Sequence, residues 1–122
     1  MAQRAPDSYI VLIVEDDPFV RMVAVDFVID ASCKVFEAAD ADGAIALLEA
    51  HPEITTLFTD IDMPGSMDGL RLAAVAKARR PELMVIVASG HRKPGAALPE
   101  GARFFPKPYA LSDIASAIKD HE

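Results

Sequence analysis

Four short apolar runs in this 122-residue chain lead into residues able to do chemistry. Tyr9 to Val14 (YIVLIV) runs into Glu15-Asp16-Asp17, and Thr56 to Thr59 (TLFT) runs into Asp60-Ile61-Asp62. Leu83 to Ala88 (LMVIVA) is followed by Ser89-Gly90, and Arg103 to Phe105 by Lys107. Carboxylates brought together repel, a cost that a bound cation offsets. Hard oxygen ligands with room for water suit Mg²⁺, which takes one or two carboxylates and a phosphate oxygen. A hydroxyl and a lysine, a compact cation suited to phosphate, complete a phosphoryl-transfer set. Its nucleophile would be a carboxylate and its product an acyl phosphate. Singly, these residues have plainer readings as helix caps, loop hydroxyls or solvated charges. Together, at the ends of successive strands, they make a site.

That chemistry requires the runs to lie side by side, and the pattern between them predicts it. Each reads as a strand buried on both faces. Lys34 to Glu37 supplies one more strand. Helical stripes alternate with the strands: Val20, Val23, Ala24, Phe27 and Val28 after Pro18, then Ala41, Ala44, Ile45 and Leu48 after a capping Asp40. A third helix runs from a cap at Asp68 to about Arg80, before Pro81, and a closing helix carries Leu111, Ile114, Ala115 and Ile118. Strand–helix alternation of this kind implies a parallel sheet covered on both faces. Five units predict an α/β fold, the flavodoxin-like doubly wound sheet of order 2-1-3-4-5. Ligands there bind beyond the carboxyl ends of the strands, at the switch point between strands 1 and 3. Glu15, Asp16 and Asp60 fall at that point.

Composition bounds the rest. With 52% hydrophobic and 25% charged residues, the chain has a globular balance and the length of one compact domain. A net charge of −7 argues against nucleic acid or anionic membranes as partners. Cys33 has no second cysteine to pair with and reads as a small, partly buried residue. Residues 1–8 lack the apolar segment of a signal peptide, and no apolar run is long enough to span a bilayer. A cytoplasmic location is expected.

The segments IVEDDP, LFTDIDMPGSMDGL, VIVASG and FFPKPY resemble the receiver domain of two-component response regulators, and the resemblance covers nearly the whole chain. It implies that Asp60 is the phosphoacceptor, that Asp16 binds Mg²⁺ directly, and that Glu15 acts largely through water. Asp62 would add its backbone carbonyl to the metal. Ser89 would follow the phosphoryl group, Lys107 would pair with it, and Phe104 falls at the position of the switch aromatic. Asp62 and His91 occupy positions that adjust the hydrolysis rate. Lys107-Pro108 matches a peptide bond that is usually cis, aiming the lysine inward. The donor would be a histidine kinase or a histidine phosphotransfer protein, with an unidentified downstream protein as target. Asp17 has no such role and reads as a helix cap or surface charge. Residues 1–122 read as a single receiver domain without an output domain, and not as an enzyme beyond self-phosphorylation and self-dephosphorylation.

The chain departs from that pattern in three respects. Eighteen positions separate Ser89 from Lys107, and they include Pro94, Gly95, Pro99 and Gly101. Proline inside a helix removes a hydrogen bond and clashes with the preceding turn, so the helix between strands 4 and 5 should be shortened or lost. Phe104 has no hydroxyl to bond in either state of a switch. Gly65-Ser66 adds a residue to the loop after strand 3. Two other readings compete. Asp60-Ile61-Asp62 matches the D-x-D of haloacid-dehalogenase-type phosphatases, but Met63-Pro64 follows where Thr or Val is expected. The other is a receiver-like interaction module that works without phosphorylation.

Overall fold

The structure, a computed structural model, describes residues 9–63, 65, 67–90 and 98–120. The elements run β1 (Ile10–Val14), α1 (Pro18–Asp30), β2 (Lys34–Ala38), α2 (Ala41–Ala50), β3 (Thr56–Asp60), α3 (Gly69–Arg79), β4 (Met84–Ser89), β5 (Arg103–Pro106) and α4 (Leu111–Lys119). The five strands form one parallel sheet in the order β2-β1-β3-β4-β5, as expected. Every residue of the central strand β3 is buried.

Side chains alternate across the sheet with the period of two that strands impose. Leu12, Val14, Leu57, Val85 and Val87 face one layer, where Ala41, Ala44, Leu72, Ala73 and Ala76 of α2 and α3 cover them. Val11, Ile13, Phe58, Ile86 and Ala88 face the other, under Ala24, Val28, Ile114 and Ile118 of α1 and α4. Buried Cys33 packs into this second layer. On β5, Phe104 packs half-buried against the α2/α3 layer, and Phe105 against the α1/α4 layer.

Among the described residues no helix lies between β4 and β5, and Pro94 and Gly95 fall outside them. Leu98 and Ala102 pack against the α2/α3 layer beside Phe104 instead. Gly101 sits there at φ 85°, a left-handed conformation that a side chain resists.

The predicted stripe of α1 needs correction. Ala24 and Val28 are buried as expected, and Val25 joins them, but Val20, Val23 and Phe27 are exposed. The helix is apolar nearly all round, so periodicity alone selects no face. Phe19, Val20, Met22, Val23, Phe27 and Ile29, all on α1, are the exposed large apolar side chains among the described residues. On α4, Ala117 is buried more deeply than the expected Ala115.

The caps follow the sequence. Asp17 accepts from the N–H groups of Phe19 and Val20, Asp40 from Gly43 and Asp68 from Arg71. Each satisfies orphan donors of a first turn. Arg80, at the end of α3, donates to the carbonyls of Ile54 at 2.8 Å and His51 at 2.9 Å, and also to that of Leu48. One guanidinium thus ties the end of α2 to the approach to β3.

Candidate functional site

Strand pairing sets the site groups level with one another. Val14 pairs with Thr59, Asp60 with Ala88, and Ser89 with Pro106. The ladder continues past the strand ends: Ile61 N–H donates to the Ala88 carbonyl, and Lys107 N–H to the Ser89 carbonyl, both at 2.9 Å. Glu15, Asp60, Ser89 and Lys107 therefore stand on four neighbouring strand ends that the sheet backbone holds in register.

Glu15, Asp16 and Asp60 each bring a carboxylate oxygen within 4.8 Å of the others. Asp60 and Glu15 are buried, at 7% and 8% exposure, while Asp16 is open to solvent. Oδ1 of Asp60 is buried with no hydrogen-bond partner, and the Lys107 ammonium lies 3.3 Å from it as an ion pair. The same ammonium is 3.9 Å from Glu15 Oε1. Three carboxylates, one with an unsatisfied buried oxygen and one facing water, are a hard-oxygen donor set that fits Mg²⁺ with room for water and a phosphate oxygen.

Burial pushes the Asp60 carboxyl above its ordinary range. Lys107 and a hydrogen bond from the Asp62 backbone N–H oppose that rise, and the Asp62 charge adds to it. Glu15 is likewise raised, first by burial. The Asp17 N–H, 3.1 Å from Glu15 Oε2, and Lys107 pull it down, while the Asp60 charge pushes it up. Tyr109 packs edge-on against Phe58 at 5.9 Å, and burial together with the charges of Glu15 and Asp60 pushes its hydroxyl up to about 12. The raised carboxyls record a site whose charges burial and mutual repulsion leave under-compensated.

The cavity against Asp60 and Lys107 is about 10 Å³, room for roughly one water. A space of that size has no room for an organic substrate, so a reacting group must approach from the open side. A shallow apolar groove adjoins the site, with a volume of about 250 Å³, lined by Phe19, Val20, Val23, Ala24, Tyr109 and Leu111. Val20, Ala24 and Tyr109 line both spaces.

Lys107-Pro108 is cis, as the resemblance implies. The Asp62 side chain points to Ser89: the hydroxyl donates to Asp62 Oδ2 at 2.7 Å. His91 lies outside the described residues. Gly90 borders the site beside Lys107: a Cβ there would meet the lysine stem at 3.6 Å, an ordinary contact.

Sequence reasoning missed three supports. Arg21 donates to the Glu15 carbonyl at 2.8 Å and pairs with Glu37 at 2.9 Å, fixing the backbone under the acidic cluster. Gly69 opens α3 so close to β3 that a Cβ would lie 1.8 Å from the Asp60 carbonyl oxygen. The one signal was a glycine directly after the capping Asp68. The third is the Asp62–Ser89 bond, whose partners are 27 positions apart.

Comparison with known proteins places the chain in a family. The profile of the response regulator receiver domain matches residues 11–119. The chain is 33% identical over 118 residues to the sensor kinase CckA of Brucella abortus, covering 93% of this chain and 12% of that protein. It thus spans a small part of the length of this curated relative. The crystal structure of the receiver domain from the hybrid histidine kinase CckA superposes with a TM-score of 0.78 at 31% identity, over 92% of this chain and 97% of that one. A receiver protein from Sinorhizobium medicae shares the fold, with a TM-score of 0.87 at 20% identity over 95% of both chains. The chain belongs to the response regulator receiver domain family.

Proposed function

We propose that the chain takes a phosphoryl group onto Asp60 from a phosphohistidine of a histidine kinase or phosphotransfer protein, and signals by contact with a downstream protein. The observation that carries this reading is the buried Asp60 oxygen without a hydrogen-bond partner, set 3.3 Å from a lysine inside a three-carboxylate cluster. Asp60 attacks phosphorus, the phosphorus–nitrogen bond breaks, and the imidazole leaves with the electron pair; water later cleaves the acyl phosphate. Lys107 meets the incoming negative charge with a cation already aimed at Asp60. Ser89 supplies a hydroxyl to a phosphoryl oxygen. Glu15, Asp16, Asp60 and the Asp62 backbone carbonyl would hold Mg²⁺, which would supply charge neutralisation. Family membership sets the dehalogenase-type phosphatase aside and leaves self-phosphorylation and self-dephosphorylation as the chemistry.

The exposed face of α1 supports a protein donor. A phosphohistidine placed over Asp60 must lie beside the groove that shares Val20, Ala24 and Tyr109 with the site. Apolar side chains such as Phe19, 67% exposed, suit a helical partner with an apolar face. We read residues 1–122 as one receiver acting in the cytoplasm; no helix among the described residues is long and apolar enough to cross a membrane.

An acyl-phosphate donor with Mg²⁺, read by intact-mass analysis, tests the reading. The native chain gains a phosphate adduct and Asp60→Asn does not. An unlabelled native chain leaves only an interaction module, and equal labelling of both chains moves the site elsewhere.

A further inference from the structure

Resting on the phosphoacceptor reading, we propose that the Asp62 carboxylate is a latch on Ser89, holding the hydroxyl proton that a phosphoryl group on Asp60 would otherwise receive. The Ser89 hydroxyl donates to Asp62 Oδ2 at 2.7 Å, the length of a good O–H···O bond. A serine has one proton to donate, so this bond and one to a phosphoryl oxygen are alternatives. Ser89 is 2% exposed, which bars water from taking over either role freely.

Both ends of the latch are held. Ser89 closes β4, and its carbonyl receives the Lys107 N–H at 2.9 Å. Asp62 lies two residues beyond β3, and its own N–H bonds the Asp60 carboxylate. Ile61, between them, is pinned to Ala88 by a 2.9 Å backbone bond. The carboxylate therefore stays in reach of Ser89 without ordering a mobile loop.

Phosphorylation then carries two costs that a neutral side chain at this position would lessen. The hydroxyl must leave a charge-assisted hydrogen bond, and a half-buried carboxylate is left without that bond beside a newly arrived anion. The latch biases the chain toward its unphosphorylated arrangement. Asparagine would keep an acceptor oxygen and drop the charge; alanine would drop both.

The test is calorimetric titration of beryllofluoride with Mg²⁺, a mimic of the phosphoryl group, into the native chain, Asp62→Asn and Asp62→Ala. Each is measured with Ser89 and with Ser89→Ala, after thermal melts establish folding. With Ser89 present, affinity rises in the order native, Asp62→Asn, Asp62→Ala, the last by about tenfold or more, the worth of one hydrogen bond to a charged group. In the Ser89→Ala background the two Asp62 variants converge to within about twofold, since only charge still acts. Equal gains in both backgrounds overturn the latch, as does identical affinity of Asp62→Asn and Asp62→Ala when Ser89 is present. Should Asp62→Ala fail to fold, the isosteric Asp62→Asn alone decides: its gain must be larger with Ser89 than without. A native chain that does not bind the mimic overturns the phosphoacceptor reading and the latch with it. A native chain that binds, with no coupling between positions 62 and 89, overturns the latch alone.

Discussion

Substituting Gly69 by alanine adds one methyl group where the start of α3 passes close to the backbone of β3. An added Cβ would stand 1.8 Å from the Asp60 carbonyl oxygen, 2.7 Å from its carbon and 2.9 Å from Ile61 Cα. Carbon and carbonyl oxygen settle no closer than about 3.3 Å, so the start of α3 and the end of β3 must separate by roughly 1.5 Å. All three obstructing atoms are backbone, and no rotamer change relieves them. Overpacking a core costs about 1–3 kcal/mol, and this contact belongs at the upper end. Separation also weakens the 2.9 Å bond from Gly69 N–H to the Ile61 carbonyl, about 1 kcal/mol more. The helix propensity of alanine returns about 1 kcal/mol. The net loss is about 3 kcal/mol, out of a total of order 10 kcal/mol for a chain of this size. Thermal melts should show Gly69→Ala unfolding roughly 10–15 °C below the native chain. Its labelling by an acyl phosphate should fall too, because the displaced backbone carries Asp60. Gly43→Ala is the contrast: a Cβ there meets Asp40 Oδ1 at 3.3 Å and Ala38 Cβ at 3.5 Å, and stability should change by less than about 1 kcal/mol. A Gly69→Ala protein melting within about 2 °C of native would refute the close approach.

Three more expectations follow from the same structure. Arg80→Ala removes the donor shared by the Leu48, His51 and Ile54 carbonyls and should cost about 2–3 kcal/mol in urea denaturation, whereas a loss under about 0.5 kcal/mol would mean water replaces it freely. Asp60 and Glu15 have folded pKa values raised above their ordinary 3.8 and 4.5, so their contribution to stability is fully present below those values and is lost as pH rises through the raised ones. Without metal, Asp60→Asn should therefore melt above the native chain at pH 7, with the gap closing toward about pH 4. Mg²⁺ should raise the native midpoint far more than that of Asp60→Asn; a metal-free Asp60→Asn that melts below native at pH 7 would reverse the sign. Phe19→Glu, which puts a charge into the α1 groove, should slow transfer from a cognate kinase by about tenfold or more, the effect of a charge buried in an apolar contact, and affect labelling by a small acyl phosphate far less. Equal slowing with both donors would detach the groove from partner docking.

The convergence of Asp60, Ser89 and Lys107 was legible because they sit at the ends of runs with no competing helical pattern, and parallel pairing aligns those ends. Asp40 and Asp68 were legible as caps, and Asp17 as a cap or a surface charge, for a local reason: each serves N–H groups two or three residues on. The buried face of α1 was not legible. Its apolar residues outnumber what the sheet can cover, so the stripe through Val20, Val23 and Phe27 matched the period and missed the core. Gly69 was hidden because a close backbone approach leaves only an absent side chain as its mark. Arg80 and the Asp62–Ser89 bond join positions far apart in the chain, and polar partners at long range carry no periodicity at all.

The uncovered side of α1 also governs how copies of this chain treat one another. Phe19, Met22 and Ile29 are more than half exposed, an oily stripe that would draw two molecules together in crowded solution. Against that stands a formal net charge of −7, which makes like molecules repel at neutral pH and low salt. Acid removes that repulsion by protonating carboxylates, and concentrated salt screens it. Colloidal behaviour should follow: clear solutions at neutral pH and modest ionic strength, and turbidity on acidification or in concentrated salt.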